Sequence, residues 1–282
     1  MKLIRYGKLG QERTGVQIDG KNFDTSGFGE DYNEAFFASG GLKRLADFVA
    51  NNQLEKLNSD IRIASPIARP SKILCIGLNY KDHAAETGAK IPSEPIIFMK
   101  STTAVIGPDD DIMIPKGSTK TDWEVEFCVV IGKKASYVEE ADAEDYIAGY
   151  LLHNDVSERE YQLERGGTWD KGKGCDTFAP LGPVLATRDE IKDINDIDIW
   201  LKLNGEIVQK SNTKNLIFDV PFIISYVSKF MTLLPGDIIS TGTPAGVGLG
   251  MNPPVYLKPG DVLELGADSL GVQKQNVIAY RP

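Results

Sequence analysis

Near the middle of the chain the run Trp123-Glu124-Val125-Glu126-Phe127-Cys128-Val129-Val130-Ile131-Gly132 sets two carboxylates inside an apolar stretch. Strand side chains alternate between faces, so Glu124 and Glu126 point one way while Val125, Phe127 and Val129 point the other. Two neighbouring carboxylates in apolar surroundings repel each other and resist burial unless positive charge lies between them. A third acid, Asp155, follows a second apolar run from Ile147 to His153. Together they offer all-oxygen ligands to a hard divalent cation such as Mg²⁺, Mn²⁺ or Ca²⁺. A Glu-x-Glu on a solvent-facing edge would need no cation, but the flanking residues here are too apolar for such an edge.

The chain has two histidines. His83 stands in Asn79-Tyr80-Lys81-Asp82-His83-Ala84-Ala85-Glu86-Thr87-Gly88, which predicts a helix of about two turns, with Asn79 as N-cap, Asp82 in the first turn and Gly88 as the stop. His83 and Glu86, three residues apart, share a face, so the carboxylate can orient the imidazole as a general base. So short a helix is stable only when docked, which suits a lid or an exposed helix pair equally. His153, at the end of the run before Asp155, reads as a half-buried strand residue. Ser157 and Glu160 have capping-box spacing, which predicts a helix presenting Arg159 and Gln162 on one face, and Arg is well built to grip a carboxylate. The Gly-dense loop Gly166 to Asp176 could bring a lysine against an anion. Neither this loop nor Thr241-Gly242-Thr243-Pro244-Ala245-Gly246 has the strand and helix context of a phosphate-binding loop. A Gly-x-Ser-x-Gly elbow is absent.

The elements that must position these groups are mostly short strands: Lys72–Gly77, Ile96–Met99, Val125–Ile131, Ile147–His153, Ile199–Leu203, Ile238–Ser240 and Val262–Leu265. Regular β–α alternation is missing, which argues against a doubly wound sheet or a TIM barrel. Leu234-Pro235-Gly236-Asp237 and Lys258-Pro259-Gly260-Asp261 each read as a type II turn launching a strand. The first sixty or so residues read as a small unit, with a strand at Met1–Tyr6, a hairpin turning at Asp19-Gly20 and an amphipathic helix over Leu42–Ala50. A Pro-punctuated connector around Pro66 and Pro70 follows.

Composition narrows the partners. With 31 basic and 40 acidic residues the formal charge is −9, and no basic cluster marks a nucleic-acid footprint. No run approaches a membrane span or a signal peptide, and the three cysteines are widely spaced, so the expectation is a reduced, cytoplasmic protein without membrane or nucleic-acid partners.

In order along the chain, Ile76-Gly77-Leu78-Asn79-Tyr80 through Glu86, Pro95-Ile96-Ile97-Phe98-Met99-Lys100, Glu124-x-Glu126, Asp155-x-x-x-Arg159, Lys173 and Thr241-Gly242-Thr243-Pro244 resemble the fumarylacetoacetate hydrolase family over about residues 70 to 280. The resemblance implies a β-rich α+β fold, a mixed β-sandwich roll, with a small N-terminal α+β domain over residues 1–66, a catalytic domain over 67–282 and a homodimer. It implies Mg²⁺ or Mn²⁺, with Ca²⁺ left open, held by Glu124, Glu126 and Asp155. It places His83 and Glu86 as a water-activating pair on a lid, Lys173 as a catalytic lysine, and Arg159, Gln162 and Thr243 around the carboxylate end of a small 2-oxo acid.

The implied reaction is hydrolysis of the C3–C4 bond of a 2,4-dioxo acid to pyruvate and a carboxylic acid. Met1–Gly7 and the Gly166–Gly174 loop are most similar to members acting on 2,4-dioxo-3-deoxy sugar acids of fucose or rhamnose breakdown. For such a substrate, Thr168-Trp169-Asp170-Lys171 and the Ser26 to Asn33 stretch are candidate hydroxyl partners. Acylpyruvases, fumarylpyruvate hydrolases and oxaloacetate decarboxylases share the fold and are the alternatives. A non-catalytic binder would not need the His83–Glu86 pair.

Overall fold

Short runs rich in β-branched residues pair into two main sheets, seen in a computed structural model that describes residues 1–88 and 90–282. At the centre of a ten-stranded sheet, Val125–Ile131 lies antiparallel between Ile147–Asn154 and Ile238–Ser240. Every residue of the two longer strands is buried, which is why both read as nearly continuous apolar runs. Ile238–Ser240 pairs in parallel with Ile73–Gly77, and Ile96–Lys100 forms that edge. In the other direction Leu185–Thr187 joins Ile147–Asn154 to Lys2–Tyr6. The Arg13–Ile18 and Lys21–Asp24 hairpin completes the sheet, turning at Asp19 (φ 48°) and Gly20 (φ 72°) as a type I′ turn requires. The sheet is thus continuous across residue 66.

A second sheet of five strands runs in the order Glu206–Asn212, Asp198–Leu203, Val262–Ala267, Gly271–Ile278 and Ile112–Met113. Buried glutamines stitch it to the central pair. Gln209 Oε1 accepts from the Val125 N–H (2.9 Å), and Gln273 Nε2 donates to the carbonyls of Leu152 (2.8 Å) and Gly182 (2.7 Å). Buried amides that satisfy main-chain groups in this way fix one register of sheet against sheet. Both Pro-Gly-Asp phrases form the expected turns: Gly236 and Gly260 have φ of 87° and 99°, and the N–H groups of Asp237 and Asp261 close onto Leu234 and Lys258. The architecture is the expected sheet-rich α+β fold, with open sheets rather than a closed barrel. Among the described residues no helix is long and apolar enough to cross a membrane.

Two local expectations are corrected. Asn79 does not cap the His83 helix. Its amide is spent on the carbonyls of Phe218 and Thr241 and on the Phe218 N–H, and the helix Lys81–Thr87 starts after Tyr80 without a side-chain cap. Ser157 is not a capping residue either. It pairs in a short strand with Asp122, and its hydroxyl donates to the Asp155 carbonyl; a π-helical turn over Glu160–Glu164 follows. Asn79 found tertiary main-chain partners first, and Ser157 was taken up by the strand pair with Asp122 and by a local bond to the Asp155 carbonyl.

Gly149 lies where Ile147–Asn154 passes Leu185–Thr187, and a Cβ there would stand 2.2 Å from the Ala186 carbonyl oxygen. Main chain cannot step aside cheaply, so Gly149→Ala should cost about 1–3 kcal/mol. The expected readout is a lower urea midpoint with an unchanged m-value. An unchanged midpoint would mean the seam yields without cost.

Candidate active site

The register of the central pair assembles the acids. Glu126 stands opposite His153 and Val125 opposite Asn154, and the Asp155 N–H donates to the Glu124 carbonyl (2.8 Å), so the pairing carries on one step past the strand ends. Cross-strand neighbours share a face, which brings Asp155 beside Glu124 and Glu126. Carboxylate oxygens of the three residues all lie within 4.8 Å of one another, and all three residues are buried. Asp122, two residues earlier in the same alternation, is fully buried as well.

Three cations answer these acids. Lys100 Nζ donates to Asp155 Oδ1 and to the Val156 carbonyl. Lys173 Nζ bridges Glu124 Oε2 (2.7 Å) and Asp155 Oδ2 (2.8 Å) and lies 4.9 Å from the centre of the Phe98 ring. Arg159 pairs with Asp122 through Nε and Nη2, reaches Glu124 Oε1 (2.7 Å), and meets Gln162 Oε1 (3.0 Å) with Nη1. Burial opposes the charge on Arg159, but Asp122 and Glu124 outweigh it and raise the guanidinium above its usual pKa. Burial likewise opposes ionisation of Asp155, yet Lys100 and Lys173 hold it below the usual carboxylate range.

Four carboxylates therefore face three cations, and Glu126 is the one left over. Its Oε2 accepts only from neutral donors, the Ser240 hydroxyl and the Gly242 N–H (3.0 Å), among the contacts of the described residues. Burial first, then repulsion from Asp155 and Glu124, drives its pKa well above the ordinary value. His153 stands behind it, fully buried rather than half-buried, with burial pushing its pKa down to about 3. The neutral ring's Nδ1 donates to Ser240 Oγ (2.8 Å), because Ser240 gives its own proton to Glu126. An all-oxygen donor set with one carboxylate short of counter-charge fits a hard divalent cation.

The second part of the site is the helix Lys81–Thr87. His83 Nδ1 is 3.3 Å from Glu86 Oε2, and both Glu86 oxygens accept from the Gly246 N–H (3.0 and 3.2 Å). The hydroxyl of Ser211 donates to Asp82 Oδ2 (2.6 Å). The helix is thus docked on the late Gly-rich loop, as its short length demanded. Lys173 is delivered by the short helix Asp170–Lys173, which packs against the Glu158–Gln162 segment through Gly172. A Cβ there would stand 2.4 Å from the Glu158 carbonyl.

These groups open onto one cavity of about 210 Å³, lined at its polar end by His83, Glu124, Glu126, Arg159, Gln162 and Lys173. Thr243 also lines it, but its hydroxyl is held between the Val125 carbonyl and Gln209. The remaining wall is apolar, with Leu78, Phe98, Leu163, Trp169, Val247 and Leu249. Of the polar loop Thr168–Lys171 only Trp169 lines the cavity. Asp170 accepts from the Met99 N–H and Lys171 donates to the Arg165 carbonyl. None of residues 26–33 lines it: Asn33 caps the helix Glu34–Ala38 and Tyr32 is core. A larger hollow of about 570 Å³ beside Pro115, Tyr256 and Tyr280 has no carboxylate or histidine in its lining.

Residues 72–278 match the model of the fumarylacetoacetate (FAA) hydrolase C-terminal family. The chain belongs to that family. A Burkholderia multivorans protein provisionally named a hydrolase is 50% identical over the full length of both chains, and one from Burkholderia lata is 50% identical over 98% of each. Among solved structures, a fumarylacetoacetate hydrolase from Exiguobacterium antarcticum superposes with a TM-score of 0.88 at 32% identity, over 99% of this chain and 100% of that one. A maleylpyruvate hydrolase from Sphingobium sp. SYK-6, solved with manganese(II) and pyruvate, gives 0.82 at 29% identity over the whole of both chains. The chain is a hydrolase of the fumarylacetoacetate hydrolase fold.

Two members of this hydrolase's site escaped the sequence reading as functional residues, Asp122 and Lys100. Extending the Glu-x-Glu alternation back by two positions would have exposed Asp122. A lysine closing the apolar run Ile96–Met99 was the signal for Lys100.

A raised carboxyl pKa in the folded state means that ionising Glu126 costs stability. The cost is absent below the ordinary value of 4.5 and grows as pH rises towards the folded value. At neutral pH without metal, Glu126→Gln should therefore melt higher than wild type, by roughly 2 °C for each kcal/mol relieved. Added Mg²⁺ or Mn²⁺ should raise the melting temperature of wild type and leave the variant unmoved. A variant that melts lower without metal, or climbs with Mn²⁺ as wild type does, would place the cation elsewhere.

Proposed function

We propose that this hydrolase cleaves the C3–C4 bond of a 2,4-dioxo acid, releasing pyruvate and a carboxylic acid, with Mg²⁺ or Mn²⁺ held by Glu124, Glu126 and Asp155. The observation that carries this reading is the buried acid cluster, one counter-charge short, facing the His83–Glu86 pair across a small cavity. With all four carboxylates and all three cations charged the cluster is one unit negative. A divalent ion makes it one unit positive, which attracts a small monoanion. When bound, the cation supplies Lewis-acid stabilisation of negative charge at the 2-oxo acid end.

The chain's own groups account for the remaining steps. Glu86, fixed by the Gly246 N–H, accepts the Nδ1 proton of His83 and so makes Nε2 the basic atom. Nε2 takes a proton from water, and the oxygen adds to the C4 carbonyl. When the C3–C4 bond breaks, its electron pair goes to C3, which takes up a proton to complete pyruvate while the acyl half leaves as the acid. The Arg159 Nη1 edge with Gln162 faces the substrate carboxylate. Lys173 adds positive charge where negative charge develops. Cytoplasmic operation as a homodimer belongs to the same reading. The ring ladder Phe222, Tyr226 and Phe230, beside the exposed Met99, offers an apolar face for a second copy, and sedimentation equilibrium would measure the association.

Two substrate branches make different demands of the walls. The sequence resemblance favours a dioxo sugar acid. The lining beyond the acids is apolar, which favours an acylpyruvate with an apolar acyl group, since unpaired hydroxyls against Leu78, Trp169 and Leu249 would lose their water without gaining partners. Turnover of acetylpyruvate and longer acylpyruvates should exceed that of 2,4-dioxo-3-deoxy-fuconate or rhamnonate in kcat/KM, and the reverse order would restore the sugar-acid reading. His83→Ala should lower hydrolysis by about 10²–10⁴-fold. If it instead spared pyruvate release from oxaloacetate as the main activity, the enzyme would be a decarboxylase, which needs no attacking water.

A further inference from the structure

Asp122 does not line the cavity, yet it holds two things that do. Its Oδ2 accepts from Arg159 Nε (2.8 Å) and Nη2 (2.8 Å) and from the Leu249 N–H (3.0 Å). Its Oδ1 accepts from the N–H groups of Gly248 (2.7 Å) and Trp123 (2.8 Å). These donors fill the acceptor capacity of a carboxylate. The contact also dictates a glycine: a Cβ at Gly248 would stand 2.8 Å from Asp122 Oδ1 and 2.0 Å from the Val255 carbonyl.

We propose that Asp122 is a positioning residue for substrate affinity, aiming the guanidinium of Arg159 and fixing the Val247–Leu249 wall with one buried carboxylate. A guanidinium is planar, so holding Nε and Nη2 on one edge sets the plane and leaves Nη1, with Gln162, as the edge towards the cavity. Without Asp122 the strongest remaining partner of Arg159 is Glu124, and the side chain would turn onto that acid and away from the substrate end. The same change would release the Gly248 and Leu249 N–H groups, and with them the loop whose Val247 and Leu249 side chains meet the acyl part. Carboxylate recognition and acyl recognition are thereby tied to a single group.

The inference rests on the 2-oxo acid reading of the cavity, and binding of oxalate to the Mn²⁺-loaded protein tests the two separately. Wild type should bind oxalate by calorimetry; failure to do so would remove the cavity reading and this proposal with it. Asp122→Asn keeps the size but turns an amide donor or a weaker acceptor towards Arg159. It should weaken oxalate binding and raise KM for the best dioxo acid by roughly tenfold or more, the usual scale for a lost charged contact. With Mn²⁺ saturating, turnover at saturating substrate should fall far less than KM rises, the split expected of a residue that acts on substrate binding rather than on the chemical step. Arg159→Met should show the same loss, and the double variant no further loss, because the first residue acts through the second. Oxalate binding by Asp122→Asn equal to wild type, or losses that multiply in the double variant, would overturn the proposal. If Asp122→Asn does not fold, Asp122→Ser takes its place. Failure of both to fold would show that the fold alone requires the carboxylate, which also overturns it.

Discussion

Asp122, Glu124, Glu126 and Asp155 are buried at and just beyond one end of the central strand pair, where water cannot screen their mutual repulsion. At separations of a few ångströms and the effective dielectric of a protein interior, each like-charged pair costs on the order of kilocalories. Nothing about the local backbone removes that cost, so the surrounding structure has to. Lys100 arrives on the edge strand, Lys173 on a helix so short that only close packing through Gly172 can place it, and Arg159 at the start of a π-helical turn. Three separate elements thus each carry one positive charge to the acids.

The compensation is deliberately incomplete in its effect, whatever its origin. Buried ion pairs contribute little net stability against apolar packing, but removing one partner from them is costly. A cluster of three cations and four acids is rigid and remains short of one positive charge, and the deficit falls on Glu126 because its neighbours at Ser240 and Gly242 are neutral. His153 contributes through its neutrality. Burial keeps it uncharged, so it orients Ser240 without filling the deficit that a cation would fill. On the proposed reading, affinity for a cation and for a substrate anion would both follow from this one imbalance.

The His83–Glu86 pair is held in a different manner. His83 and Glu86 sit on a helix without a side-chain cap, tied down by Ser211 at Asp82 and by the Gly246 N–H at Glu86. Polar contacts to other parts of the chain, rather than helix length, hold this element in place.

The amino-acid sequence alone determined a good deal of this. Apolar alternation put Glu124 and Glu126 on one face. The Pro-Gly-Asp phrases and Asp19-Gly20 dictated their turns, and the spacing of His83 and Glu86 put them within reach of each other, because each of these is a matter of neighbours within a few residues. Ordered motifs also made the family legible. Only the tertiary structure decided which polar side chains had already found partners. Asn79 has capping chemistry but serves distant main chain, and Ser157 sits in a strand pair with Asp122; Thr243 is spoken for by Val125 and Gln209; Asp170 and Lys171 bond to main chain and do not line the cavity. Likewise the pairing of Asp155 with Glu124, the charge deficit at Glu126 and the apolar wall opposite the acids arise from contacts between residues far apart in the chain. A hydrogen-bonding side chain shows in the sequence what it can do, whereas its actual partner is settled by whichever donor or acceptor the fold brings to it first.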